Sequence, residues 1–215
     1  MTSIADNLQA IRARLGPVIL LAVSKGQSAD AVRQAAAAGQ KAFGENYVQE
    51  GVEKMDTLPG LEWHLIGPLQ SNKTRAVAER FDWVQTVASE KIARRLSEQR
   101  PAALPSLNVL IQVNVSGEST KSGVAPEEVK SLSKSMKELK GIRLRGLMAI
   151  PEPGADRSRY RSVKALYDSL KDEYGFDTLS LGMSDDMDVA IAEGSTMVRI
   201  GTAIFGARKK ERSAA

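Results

Sequence analysis

The chain has 215 residues, 42% hydrophobic and 26% charged, enough apolar content for one substantial core. It has no cysteine and a single histidine, His64, which excludes disulfides, thiolate chemistry and cysteine or multi-histidine metal sites. Lysine and arginine (30) outnumber acids (26) for a net charge of +4, but no aromatics interleave with the basic residues, so no nucleic-acid partner is expected.

Met1 leads into a polar helical stretch, roughly Ile4–Leu15, and not into a basic then apolar leader. No apolar run is long enough to cross a bilayer, so the expectation is a cytoplasmic protein with no membrane partner. From there, short β-rich apolar runs alternate with helical stretches. The runs are Val18–Val23, Lys41–Phe43, Glu62–Ile66, Trp83–Val87, Asn108–Val115, Arg143–Ile150, Leu179–Leu181 and Met197–Ile200. Between them, Ala29–Ala38, Ala88–Gln99 and Ala125–Leu139 show apolar spacing near 3.6, and Pro126-Glu127-Glu128 reads as a helix first turn. Strands joined by helical crossovers predict a parallel sheet, and about eight in one uninterrupted series predict a single-domain α/β protein with a (β/α)8 TIM-type barrel over residues 1–215. A doubly wound sheet is the structural alternative. The Ile4–Leu15 helix is expected to help cover the wall, and Arg208-Lys209-Lys210-Glu211-Arg212 to form a solvated basic tail over 208–215.

Barrel chemistry sits at the C-terminal ends of the strands. Lys25 ends the first apolar run, where partial desolvation favours the neutral amine that a Schiff base needs; the alternative is a surface lysine snorkelling at a strand end. Leu181-Gly182-Met183-Ser184-Asp185-Asp186 follows the seventh strand and Gly201-Thr202-Ala203 the eighth. Glycines that admit close approach, together with the hydroxyls of Ser184 and Thr202, fit a phosphate site, and barrels often bind phosphate at these two loops. Arg199, on the last strand, needs an acceptor: either an internal carboxylate or a ring nitrogen of a bound cofactor.

These segments together resemble the YggS/PROSC family of pyridoxal 5′-phosphate (PLP) homeostasis proteins over nearly the whole chain. The matching blocks are Leu21–Lys25, Phe43-Gly44-Glu45-Asn46-Tyr47-Val48-Gln49-Glu50, Trp63-His64-Leu65-Ile66-Gly67, Leu69-Gln70, Asn72-Lys73, Ser119-Thr120-Lys121-Ser122-Gly123, Gly146–Pro151 and Leu181–Arg208. The resemblance implies a fold-type III PLP barrel like the N-terminal domain of alanine racemase. It places Lys25 as the Schiff-base lysine, Ser184, Gly201 and Thr202 at the phosphate, and Arg199 at the pyridine nitrogen. Asn46, His64 and Met148 fall in blocks that line the pocket, and Lys121 near the cofactor in an unassigned role. The family usually reads Ser-Lys-Thr-Lys-Pro where this chain has Ser24-Lys25-Gly26-Gln27-Ser28, so no role of the second lysine carries over to Gln27; Pro68 also stands where histidine is frequent.

PLP catalysis draws on the ring as an electron sink, strongest with a protonated pyridine nitrogen. An arginine donor keeps its own protons and disfavours that protonation, although alanine racemase tolerates the arrangement. A racemase also needs acid–base groups on both substrate faces, and in alanine racemase a tyrosine from an added β domain serves the second. Little sequence follows the eighth strand here, so no such domain is expected. Tyr160, Tyr167 and Tyr174 share a helical packing stripe, and Tyr47 reads as structural, the alternative being that it reaches the pocket. The expectation is a monomeric PLP-binding homeostasis protein without robust catalysis, with PLP-dependent apoenzymes as partners. The alternatives are a weak PLP-dependent amino acid racemase or, leaving the resemblance aside, a phosphate-substrate barrel enzyme without PLP.

Overall fold

The computed structural model describes residues 3–117 and 122–207. Lys121 and the tail 208–215 lie outside the described residues. The first helix, α1 (Ile4–Leu15), opens on a reciprocal cap: Asp6 N–H donates to Ser3 Oγ, and Ser3 N–H to Asp6 Oδ2. Then follow β1 (Ile19–Val23), α2 (Ala29–Ala37), β2 (Ala42–Glu45), α3 (Val48–Thr57), β3 (Glu62–Leu65), α4 (Thr74–Arg80), β4 (Trp83–Val87), α5 (Glu90–Gln99) and β5 (Leu107–Val113). The second half continues with α6 (Val129–Lys137), β6 (Ile142–Ala149), α7 (Arg157–Tyr174), β7 (Thr178–Ser180), α8 (Met187–Ala192), β8 (Met197–Ile200) and α9 (Thr202–Phe205).

All strand pairs are parallel, and β8 closes on β1 through Ile19↔Met197 to Ala22↔Ile200. That closure excludes the doubly wound alternative and makes the molecule a (β/α)8 barrel. Each of the eight apolar runs carries one strand. The second extends further than expected, to Glu45, because Gly44 and Glu45 continue the ladder to His64 and Leu65. The helix expected from Ala125 instead starts with a 3₁₀ turn at Pro126–Glu128, closed by Ala125 N–H donating to Glu128 Oε2, and α6 proper ends at Lys137.

Outward strand residues such as Phe43, Leu65, Val84, Ile111, Leu147 and Val198 meet the helices in one continuous core. Burying a side chain of this size stabilises by about 1.5–3 kcal/mol. The β8–β1 seam has only the short α9 behind it. There α1 packs Leu8, Ile11 and Leu15 inward, and Asn7 Nδ2 donates to Ile204 O at 2.9 Å. Inside the barrel, apolar packing is confined to two small clusters, Leu21/Ala42/Met197 and Trp83/Leu110/Met148. The remaining interior is polar, which an ordinary packed barrel core does not require.

Candidate functional site

Alternation along β1 points Leu21 into the barrel, and the same period carries Val23 and Lys25 inward at its C-terminal mouth. Lys25 is half-buried there. Its flanking backbone is clamped from outside the barrel. Glu45, fully buried, accepts from Ser24 Oγ at 2.6 Å and from Lys54 Nζ at 2.7 Å. Lys54 Nζ also donates to Ser24 O and to Glu50 Oε1, and Glu50 Oε1 accepts from Gly26 N–H at 2.6 Å. Both neighbours of Lys25 are therefore fixed by one ion-pair cluster, buried at Glu45 and Lys54 and partly exposed at Glu50. Burial pushes the Glu45 carboxyl above its ordinary range, opposed by Lys54. The sequence reading missed Glu45, Glu50 and Lys54 in this role; the Glu50–Lys54 spacing of i,i+4 on α3 was the available signal.

Beside β1, the ends of β8 and β7 bring the other expected residues to the same seam. Arg199 N–H donates to Gly182 O at 3.0 Å, joining β8 to the loop that carries Ser184. Gly182 has φ +93°, and a Cβ on it would lie 2.5 Å from Ala190 Cβ, so only glycine lets α8 pack this close. Asp186 holds the loop, accepting from Met183 N–H and from Tyr160 OH, each at 2.6 Å. Gly201 passes so close to β1 that a Cβ would sit 3.1 Å from Val23 O. Thr202 follows, exposed, and opens α9.

Arg199 is 4% exposed. Its NH1 donates to Ser180 O at 2.8 Å and to Ser180 Oγ at 2.7 Å, and its NH2 to Ala149 O at 3.0 Å. These acceptors are all uncharged, and among the described residues Arg199 makes no ion pair. Burial lowers its pKa to about 10, with Asp186 acting the other way, so it stays a cation at neutral pH. Of the two acceptors left open by the sequence, an internal carboxylate is not the one found.

A cavity of about 330 Å3 opens over the opposite half of the mouth, with Asn46, Ile66, Thr86, Gln112, Asn114 and Pro151 among its walls. Asn46 thus borders the mouth. His64 and Met148 are both fully buried and are not among the residues that line this cavity, although Met148 stands level with Gln112 in the β5–β6 register. Met148 packs with Trp83 and Leu110. His64 stacks on Trp83 at 5.0 Å with both ring nitrogens engaged, by Glu62 and Gln85. Gln85 and Ser180 were missed as site residues, although a glutamine in the apolar run Trp83–Val87 was a visible anomaly. Tyr160 and Tyr167 are buried along α7 as a packing stripe, whereas Tyr47 is 68% exposed and packs no core, contrary to its structural reading. Among the described residues there is no group of three potential metal ligands, and no helix is long and apolar enough to cross a membrane.

The family model described as "Alanine racemase, N-terminal domain" matches residues 1–209. The chain belongs to this family. Within it, the chain falls in the YggS/PROSC branch: it is 55% identical to the pyridoxal phosphate homeostasis protein of Pseudomonas aeruginosa, with 97% of each chain covered. Among solved structures, PipY of Synechococcus elongatus with PLP bound is similar at 37% identity and TM-score 0.87, covering 95% of this chain and all of that one. Alanine racemase of Corynebacterium glutamicum, at 20% identity and TM-score 0.78, shares the fold; the match spans 95% of this chain and 61% of the racemase.

Proposed function

We propose that this protein binds PLP through Lys25 and acts in PLP, vitamin B6 and amino acid homeostasis, as a carrier without robust catalysis. The observation that carries the reading is Arg199: a buried cation with only neutral protein acceptors, at the seam where Lys25 and the Ser184 and Thr202 loops meet. Such a group needs a further acceptor facing the mouth, and a pyridine nitrogen supplies one. The residues present therefore fit PLP, as do the names of the relatives and the PLP bound to PipY.

PLP, when bound, supplies an aldehyde that condenses with an amine and a ring that can accept electron density. Lys25 would furnish the amine. Ser184 and Thr202 hydroxyls, with the backbone beside Gly201, would hold the phosphate, and Asn46 would border the ring from the other half of the mouth. Arg199 keeps its proton, so it would act as a donor to a ring nitrogen and disfavour that nitrogen's protonation, which would weaken the electron sink the ring supplies. Tyr160 is no ready acid–base group: burial first, then its bond to Asp186, raises its phenol far above the ordinary value. A carrier needs retention and release, which this arrangement serves; the natural recipients are PLP-dependent apoenzymes in the cytoplasm, and the chain works as a monomer.

The test is borohydride reduction of the PLP-treated protein followed by peptide mapping. A single pyridoxyl group on Lys25, absent in Lys25→Ala, is expected; no label on Lys25 would overturn the reading. Turnover of amino acid enantiomers at saturating substrate, lost in Lys25→Ala, would instead establish the weak racemase.

A further inference from the structure

A line of five side chains crosses the barrel from its floor to Arg199. Glu62, at the N-terminal end of β3, is 46% exposed in its side chain and bonds His64 Nε2 at 2.8 Å. His64 Nδ1 meets Gln85 Nε2 at 2.9 Å. Gln85 Oε1 accepts from Ser180 Oγ at 2.7 Å, and Ser180 Oγ accepts from Arg199 NH1 at 2.7 Å. Every link is buried except Glu62.

The chemistry of the ends fixes every proton between them. An ionised carboxylate only accepts, so the His64 proton is on Nε2 and Nδ1 is an acceptor. That sets the Gln85 amide with its NH2 toward His64 and its oxygen toward Ser180. Ser180 must then give its one proton to Gln85, which leaves a lone pair for Arg199. Arg199, which only donates, closes the line. Donation runs one way throughout: Arg199 to Ser180 to Gln85 to His64 to Glu62.

We propose that Glu62, His64, Gln85 and Ser180 are positioning residues, and that Glu62, from the floor of the barrel, sets the hydrogen-bond direction that holds the Arg199 guanidinium at the mouth. Charging His64 would put a proton on Nδ1 against the Gln85 NH2. The amide would have to turn over, and Ser180, now accepting from both the Gln85 NH2 and Arg199, would lose Gln85 Oε1 as the acceptor of its own proton. The protein guards against this: burial holds the His64 pKa below its ordinary value. The charged groups around His64 are Glu62, Asp82 and, beyond Glu62, Arg145, while Asp186 lies toward Arg199 at the far end.

Two measurements test this, one free of the function reading on which the cofactor arm rests. His64 is the only histidine, so long-range proton–nitrogen NMR of the 15N-labelled protein reports one imidazole. A neutral ring protonated on Nε2 at pH 7 is expected; an Nδ1–H tautomer or an imidazolium would overturn the proposal. In the cofactor arm, PLP release and the visible band of the loaded protein are followed across pH for Glu62→Gln and Gln85→Leu, alone and with Arg199→Lys. Glutamine at 62 can donate as well as accept, so directionality is lost. At least threefold faster release with a displaced pH profile is expected with Arg199 present, and no further change in the Arg199→Lys background. Equal effects in both backgrounds would show a merely structural role and sink the idea. If the wild type takes up no PLP, the function reading falls, and the NMR result still decides the direction of the line.

Discussion

Replacing Lys54 with methionine tests whether the clamp around Lys25 is held by charge neutralisation. Methionine keeps the stem volume and removes Nζ, and with it the donors to Glu45, Glu50 and Ser24 O. Glu45 has no exposed side-chain surface, and its Oε1 would retain only the Ser24 hydroxyl. Breaking one side of a buried pair costs about 3–5 kcal/mol. Glu45 has an escape, which is to take up a proton. Neutralising a carboxyl of ordinary pKa 4.5 at pH 7 costs about 3.4 kcal/mol, from 2.5 pH units at about 1.36 kcal/mol each. The loss at pH 7 should therefore be near 3 kcal/mol. The sign follows from linkage: Glu45 in the variant has a folded pKa raised further above its unfolded one. Its contribution is fully present below the unfolded value and is lost as pH rises through the folded one. Urea unfolding from pH 5 to pH 8 should show the variant nearly as stable as wild type at the acid end and losing about 1.4 kcal/mol per unit until Glu45 ionises. The double variant Glu45→Gln/Lys54→Met should recover most of the loss at pH 7. A deficit under about 1 kcal/mol at pH 7, or one independent of pH, would refute the reasoning.

At the phosphate loops, Ser184→Ala and Thr202→Ala should each weaken PLP retention by about 1 kcal/mol or more, roughly fivefold in the dissociation constant; equilibrium dialysis showing both unchanged would remove these residues from the site. Gly182→Ala should lower the urea midpoint and also loosen PLP, because its Cβ would collide with Ala190 at 2.5 Å and its φ is +93°. If stability and retention both survive, the tight α8 approach does not shape the Ser184 loop. Because burial lowers the His64 pKa, the unfolded chain takes up a proton near pH 6.5 that the folded one refuses. Stability should then fall by up to about 1.4 kcal/mol per unit as pH drops below 6.5, and calorimetry should show that slope missing in His64→Gln.

The barrel was legible because alternation of apolar runs with helical spacing is a local property of sequence, and eight runs leave few topologies. Lys25, Arg199, Ser184 and Thr202 stood out for a related reason: each is a polar residue at a strand end, where packing does not call for one. The clamp was not legible in the same way. Glu45, Glu50 and Lys54 look like ordinary charges on a strand end and a helix, and only the approach of α3 to β2 puts Lys54 Nζ on Ser24 O, 30 residues away. The depth of His64 in the barrel was hidden for a different reason. Its block resembles pocket-lining sequence, but the inward face of a barrel strand runs from floor to mouth, and residue 64 lies two positions in from the floor. Pattern gives the face of a strand; depth along the barrel axis depends on where pairing starts, which register alone reveals.

Two buried cations, Lys54 outside the barrel wall and Arg199 inside it, are treated differently by the structure. Lys54 is surrounded by two carboxylates and a carbonyl, so its charge is satisfied inside the protein. Arg199 is given a carbonyl pair and a hydroxyl, all neutral, although a single acidic substitution in the barrel interior would neutralise it. Burying a cation against neutral acceptors alone is unfavourable relative to pairing it. An acid beside Arg199 would stabilise the empty barrel and at the same time occupy the donor that a ligand acceptor needs. The cost is tolerated at the end of the Glu62 line and not at Lys54. That contrast separates the two: Lys54 fixes the backbone on either side of Lys25, whereas Arg199, on the proposed function, is the cation left for a ligand acceptor.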